Sequence, residues 1–204
     1  MILSDGELNP EFGQVPINSG ARWNPIRWLI YSEIINTEIT GAGPASIFTQ
    51  PGKGDLLLSA GALNSLGRTL RCRFAGYVAT DSEATSFTVT VLLGGTIVAA
   101  TSAVPAVISS AVVPFGGDLM VTCKATGTPG HTGLVDTAGW FLVGGLSGAM
   151  SGGPFVDADP DGTLDPTTPQ PVALAAALAF DVQVSSQSGN DLVVTNAVVE
   201  ILPF

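Results

Sequence analysis

Apolar side chains recur at every second position through most of this chain, the spacing that gives a β-strand one dry face and one wet face. Leu70, Cys72, Phe74 and Val78 fall on one face of a run whose other face carries Arg71, Arg73 and Tyr77. Phe87, Val89, Val91 and Leu93 alternate with Ser86, Thr88 and Thr90, and Leu119, Val121 and Cys123 with Asp118, Met120, Thr122 and Lys124. Leu178, Phe180, Val182 and Val184 alternate with Asp181, Gln183 and Ser185. Each run predicts a half-buried strand with its apolar set turned toward a core. The connectors Gly94-Gly95, Gly116-Gly117-Asp118, Thr128-Pro129-Gly130 and Ser188-Gly189-Asn190-Asp191 are rich in residues that turn the backbone at little cost. About eight strands at this spacing predict an all-β fold, a two-sheet β-sandwich of jelly-roll topology rather than an immunoglobulin-like one, whose Cys…Trp…Cys spacing the chain lacks. The stretch PVALAAALAFDVQV is alanine-rich and favours helix by propensity. Its alternating end makes it a strand here, with room for a short helical turn near Ala175.

The first 45 residues read differently. Pro10, Pro16, Gly20, Pro25, Gly41, Gly43 and Pro44 interrupt any regular pattern, which predicts an extended N-terminal arm over 1–45 ahead of a jelly-roll domain over 46–204. Within the arm, Ile26 to Ile35 is strongly apolar, and Trp23 and Trp28 are costly to leave in water. The segment either folds back on its own core or docks on a neighbouring subunit. In the second case Trp23, Trp28, Leu29 and Tyr31 are the interface anchors, since large aromatics dominate contact energetics.

Composition narrows the classes. With 204 residues, 46% hydrophobic and 12% charged, the chain has apolar material for one core and too little charge to stay unfolded. Glycine, proline, serine and threonine break every run that could cross a bilayer as a helix, and Asp5, Glu7 and Glu11 sit where an export signal would be basic and then apolar. Neither a membrane nor secretion is therefore expected. The net charge is −10, all seven bases lie between Arg22 and Lys124, and the chain beyond carries acids alone. Such a surface repels phosphate, so direct nucleic-acid binding is not expected. Cys72 and Cys123 lie in alternating runs and read as small core residues.

Reactive chemistry is thinly represented. The single histidine, His131, stands in the turn-like TPGHTG and is a poor base for a serine nucleophile. Glu33, Glu38, Asp55, Asp81, Glu83 and Asp118 sit apart from aromatic residues that would line a sugar cleft. No glycine pair is followed by the lysine and helix of a phosphate loop. The chain is expected to be no enzyme and to carry no organic cofactor. One stretch has metal character: Asp157, Asp159 and Asp161 precede Gly162 in D-x-D-x-D-G spacing, with Asp165 at the ninth place. These four carboxylates could hold calcium, although Thr168 stands where a closing glutamate belongs and prolines flank the loop. A solvated acidic loop is the alternative.

The stretch from Gly61 to Ala100 resembles the jelly-roll structural proteins of tailed bacteriophages. The likeness rests on Asn64, Leu66, Gly67, Leu70, Arg71 and Gly76, then on Thr88, Thr90, Leu93, Gly94, Gly95 and Thr96. The C-terminal DVQVSSQSGNDLVVTNAVVEIL is similar to that family's last two strands. The resemblance covers about residues 46 to 204 and implies a head decoration or cement protein, a virion structural protein on the outer surface of the capsid. Its implied partners are the major capsid protein and further copies of itself, commonly as a homotrimer. A tail or fibre module that binds a host surface glycan or receptor is the other reading. It needs loop-exposed aromatics, for which Trp140 and Phe155 are the candidates, and the WFLV context makes Trp140 look buried.

Overall fold

The computed structural model describes residues 15–17, 22–24, 28–33, 37–39, 43–48, 56–79, 85–106, 112–144, 150–158, 168–186 and 191–202. In chain order the strands are β1 (Val15–Ile17), β2 (Arg22–Asn24), β3 (Trp28–Glu33), β4 (Thr37–Ile39), β5 (Ala45–Ser46), β6 (Leu56–Leu58), β7 (Thr69–Ala79) and β8 (Thr85–Leu93). They continue with β9 (Thr96–Ala100), β10 (Val104–Ala106), β11 (Val113–Ala125), β12 (Gly133–Gly144), β13 (Met150–Pro154), β14 (Val156–Asp157), β15 (Gln170–Val172), β16 (Leu178–Ser186) and β17 (Asp191–Leu202).

The fold is an all-β sandwich, and its order is that of a jelly roll. One sheet runs β13-β12-β11-β7-β17-β3 and the other β14-β9-β8-β16-β5, with β6 and β4 extending β5 and β3 along the same partners. The pairs β3·β17, β5/β6·β16, β7·β11 and β8·β9 are those of one long hairpin, first strand with last and inward to the middle, rolled so that alternate pairs fall in opposite sheets. A further strand, β12, is inserted on the open side of β11. Trp28–Glu33, in the stretch expected as an arm, lies by its backbone along β17, so this part of the chain is an edge strand of its own sandwich.

The alternating sets face each other across the sheets. Leu70, Cys72, Val89, Val91, Leu119, Val121, Phe180 and Val182 are sealed from solvent, while Arg71, Thr90, Met120 and Gln183 lie on the outer faces. Asp181 departs from the pattern: it faces outward yet is buried, and Ser46 donates to its carboxylate at 2.5 Å. Leu174 to Ala176 form a turn between β15 and β16, closed by Ala176 N–H donating to Ala173 C=O at 3.0 Å. The alanine-rich stretch is thus strand, turn, strand.

Gly116-Gly117-Asp118 is not a connector but the middle of β11. Gly117 stands directly opposite Phe74 on one side and Phe141 on the other, and Gly76 opposite Phe115. A Cβ on Gly117 would lie 2.3 Å from the tip of the Phe74 ring, and one on Gly76 2.7 Å from that of Phe115. Each ring is folded across the glycine beside it. The three rings then meet with centroids 6.1 to 6.4 Å apart, a spacing at which aromatic pairs attract beyond their buried area.

The residues of the Asn64-to-Gly76 motif have local work in the fold. Asn64 exchanges two hydrogen bonds with the Gly127 backbone, 2.9 and 2.7 Å, and Gly67, at φ 78°, donates its N–H to Cys123 C=O. The loop before β7 is thereby fastened to the end of β11. Gly94 and Gly95, at φ 63° and 79°, make the tight β8–β9 turn.

Cys72 and Cys123 are both buried and unbridged, and burial pushes both thiols above their ordinary range. Neither is expected to react with an aromatic disulfide reagent in the folded protein, and both should react in denaturant. The glycine packing gives a second expectation. Gly117→Ala should lower unfolding stability by about 1 to 3 kcal/mol, the usual cost of overpacking. Neighbouring Gly116→Ala, whose Cβ meets only Phe74 O at 3.4 Å, should stay within about 0.5 kcal/mol. Urea melts of the two variants check it.

Candidate functional site

The outer face of β11, β12 and β13 carries apolar residues that nothing in the chain covers among the described residues. Alternation along GLVDTAGWFLVG turns Val135, Phe141 and Val143 inward, which leaves Trp140 outward at 45% exposure. Its expected burial is therefore corrected: Phe141 fills the core and the indole faces solvent. Met120 at 38%, Leu134 at 37% and Met150 at 61% exposure lie on the same side of these strands. Phe155, the other aromatic expected on a loop surface, is buried and held by its N–H to Gly139 C=O.

Beside Trp140 the face becomes charged. Asp118, directly opposite Trp140, accepts two hydrogen bonds from Arg71, one from Nε at 2.8 Å and one from Nη2. Arg73 reaches Glu200 on β17 at 3.4 Å. Asp118 holds the Arg71 guanidinium still more firmly protonated, chiefly through this bidentate contact. Four charges thus tie β11, β7 and β17 together from outside, and the Arg71–Asp118 half is only partly open to water.

A second polar group lies where the chain crosses between sheets. Residues leave the first sheet at β13 and join the second at β14, where Asp157 pairs with Ala99 of β9. On that side β12 is paired by β13 over 140–144 and by β15 over 133–135, leaving a gap. Asp157 fills it: its Oδ1 accepts the Thr137 N–H at 2.7 Å, so a carboxylate completes one sheet from a residue of the other. Burial, together with the Asp136 carboxyl beside it, pushes the Asp157 carboxyl up to about 6. Asp136 is held below the usual carboxylate range by Lys124, whose Nζ lies 2.8 Å from Oδ2.

The expected site residues are distributed as follows. Of the acidic run, Asp157 has the place just given, and Asp159, Asp161 and Asp165 lie outside the described residues. Trp23 is on β2 opposite Pro16, and Trp28, Leu29 and Tyr31 are on β3 opposite Ile201, Glu200 and Val199 by backbone register. Their side chains lie outside the description, as does the connector at Ser188. His131 is exposed in the turn after Pro129, at a surface cleft of about 440 Å3 shared with Thr128, Thr132, Ala173, Ala175 and Ala176. Among the described residues, none that line the cleft brings a carboxylate to the imidazole.

No family model, curated protein or solved structure matches the chain. The face around Trp140 was legible in the sequence, since counting back one place from Phe141 turns the indole outward. The Asp136–Asp157 contact had no local signal, because it joins strands separated by the whole β13 excursion.

The outer charge network yields a prediction. Asp118→Ala should cost roughly 1 to 2 kcal/mol in urea melts, since it strands a partly buried guanidinium. Lys124→Ala should change stability little, as exposed ion pairs contribute little.

Proposed function

We propose that the protein is a virion structural protein, a decoration or cement protein that binds the outer surface of a tailed-phage head and stabilises contacts between capsomers. The observation that carries this reading is the uncovered Trp140–Met120–Leu134–Met150 face on a rigid sheet. A large indole held outward by strand register is preorganised for contact, and tryptophan is enriched among residues that dominate interface energy. The resemblance of Gly61–Ala100 to phage jelly-roll proteins supplies the setting. The acidic surface suits the outside of a shell better than packaged DNA. In this reading the protein acts by surface complementarity rather than catalysis, as a homotrimer against the major capsid protein. The apolar N-terminal segment with Trp23, Trp28, Leu29 and Tyr31 adds contacts at the junction.

A second reading takes support from the same face. An indole beside the Arg71–Asp118 pair offers an apolar plane next to polar groups, the pairing that a host glycan on a tail or fibre module would use.

Adding purified protein to heads that lack it separates the two. Cement function predicts saturable co-sedimentation with heads and a higher temperature of genome release. Trp140→Ser should weaken that binding at least tenfold while leaving the urea midpoint near that of the parent. Absence of head binding, with retention on immobilised host glycan, favours the fibre module instead.

A further inference from the structure

The described residues leave one edge of the β13-β12-β11-β7-β17-β3 sheet open. β13 is its last strand, and only β12 pairs with it. Phe155 N–H donates to Gly139 C=O at 3.1 Å, so by alternation the backbone groups of Gly153 and Ser151 also turn toward β12. Those of Met150, Gly152 and Pro154 then point away from it. Pro154 fits this phase, since a proline in a sheet must turn its missing N–H out of the ladder. All three residues are exposed, and Gly152, having no side chain, is exposed by its backbone. Among the described residues nothing bonds to their outward N–H and C=O groups. Natural edges are guarded by charge, a bulge or a covering segment. β13, MSGGP, has no charge and keeps an unbroken register with β12, and only Pro154 blunts its end. The opposite edge of the same sheet carries Glu33 on β3 and Glu38 on β4.

We propose that β13 pairs antiparallel with β13 of a second copy of this chain, about a two-fold axis at Gly152. In that register Gly152 exchanges both its bonds with the partner's Gly152, and Met150 N–H donates to the C=O of the partner's Pro154. Every outward N–H of the edge then has an acceptor. The carbonyl left over, at Met150, faces the one residue that has no N–H to give. No other antiparallel register engages all 5 residues of both strands. Charge selects the occupant: the chain carries −10, so most contacts between copies bring acids together, whereas this edge brings none. Side chains complete the match. Pro154 stands directly opposite Trp140 in its own sheet, and the pairing adds the partner's Met150 to that apolar row, covering a side chain that is 61% exposed in the single chain. The axis runs perpendicular to the sheet, so the joined sheets turn both Trp140 faces to the same side. The contact is independent of the capsid reading and closes on itself. Where copies stand on a head as trimers, it joins one trimer to the next.

Sedimentation and amide hydrogen exchange of the full chain test it together. The mass should rise from monomer toward dimer as the protein is concentrated from micromolar to millimolar, as befits a contact of small area. Over the same range the Met150 and Gly152 amides should exchange more slowly, while those of Ser151 and Gly153, already bonded to β12, change little. Met150→Pro removes an N–H that β12 does not use, at the first residue of a strand, where proline is tolerated. It should raise the dimer dissociation constant roughly tenfold, by deleting one bond at each end of the pairing. Met150→Thr keeps the N–H and should raise it less. Exchange at Met150 and Gly152 that does not respond to concentration overturns the proposal, and this readout needs no variant. An equal loss in the proline and threonine variants also overturns it, by making the contact one of side chains. A fixed trimer with unprotected β13 amides overturns it while leaving the capsid reading intact. Protection that appears only when heads are added assigns the edge to a capsid strand and overturns self-pairing.

Discussion

Aromatic bulk laid across glycine is the constraint on which this sandwich turns. Phe74, Phe115 and Phe141 share one inner face within three adjacent strands, and rings at that density fit only where the facing positions are empty. Gly117 and Gly76 provide the emptiness, each directly beside a ring in the ladder. Leu93, Phe180 and Val182 of the opposite sheet are sealed from water in the same core. With that layer closed, the rest of the core follows from alternation alone.

Alternation by itself cannot fix the register of these strands. Sliding one strand past its neighbour by two residues preserves which side chains point inward, so the hydrophobic pattern permits several pairings. Two sets of specific contacts remove the ambiguity. On the inside, a two-residue slip of β11 against β7 would move Phe74 off Gly117 and leave a ring against a side chain. On the outside, Arg71 and Arg73 reach diagonally to Asp118 and Glu200, so a slip in one of the two directions would part each pair. Asp157 does the same between sheets, since its bond to Thr137 requires β14 to stand at one height along β12.

Much of this was readable in the residues. Period two gave the strands, the inward sets and the sandwich, because those depend on side chains two places apart. Gly116-Gly117 misled for a physical reason: glycine in a strand and glycine in a turn look alike locally, and only Phe74 and Phe141, far away in sequence, distinguish them. The turn at Leu174 was hidden by alanine, which suits helix, turn and buried strand almost equally. Trp140 was legible by parity and obscured by its apolar neighbours. The contact of Asp136 with Asp157 depends on how the chain crosses from one sheet to the other, information that no short window holds.

The nested pairing of first strand with last also sets the order of assembly. β3 binds β17, so Trp28–Glu33 waits for this partner until residues 191–202 have been made, on the order of ten seconds at ordinary elongation rates. Throughout that time an apolar strand emerges early and stays unclaimed, while the inner pairs β8·β9 and β7·β11 can close behind it. When β17 arrives, it meets its own β3 at the high effective concentration of a shared chain and that of a nascent neighbour at whatever the polysome supplies. Crowding of ribosomes on one message therefore favours exchange of this strand between copies, and dilution favours closure of each copy upon itself.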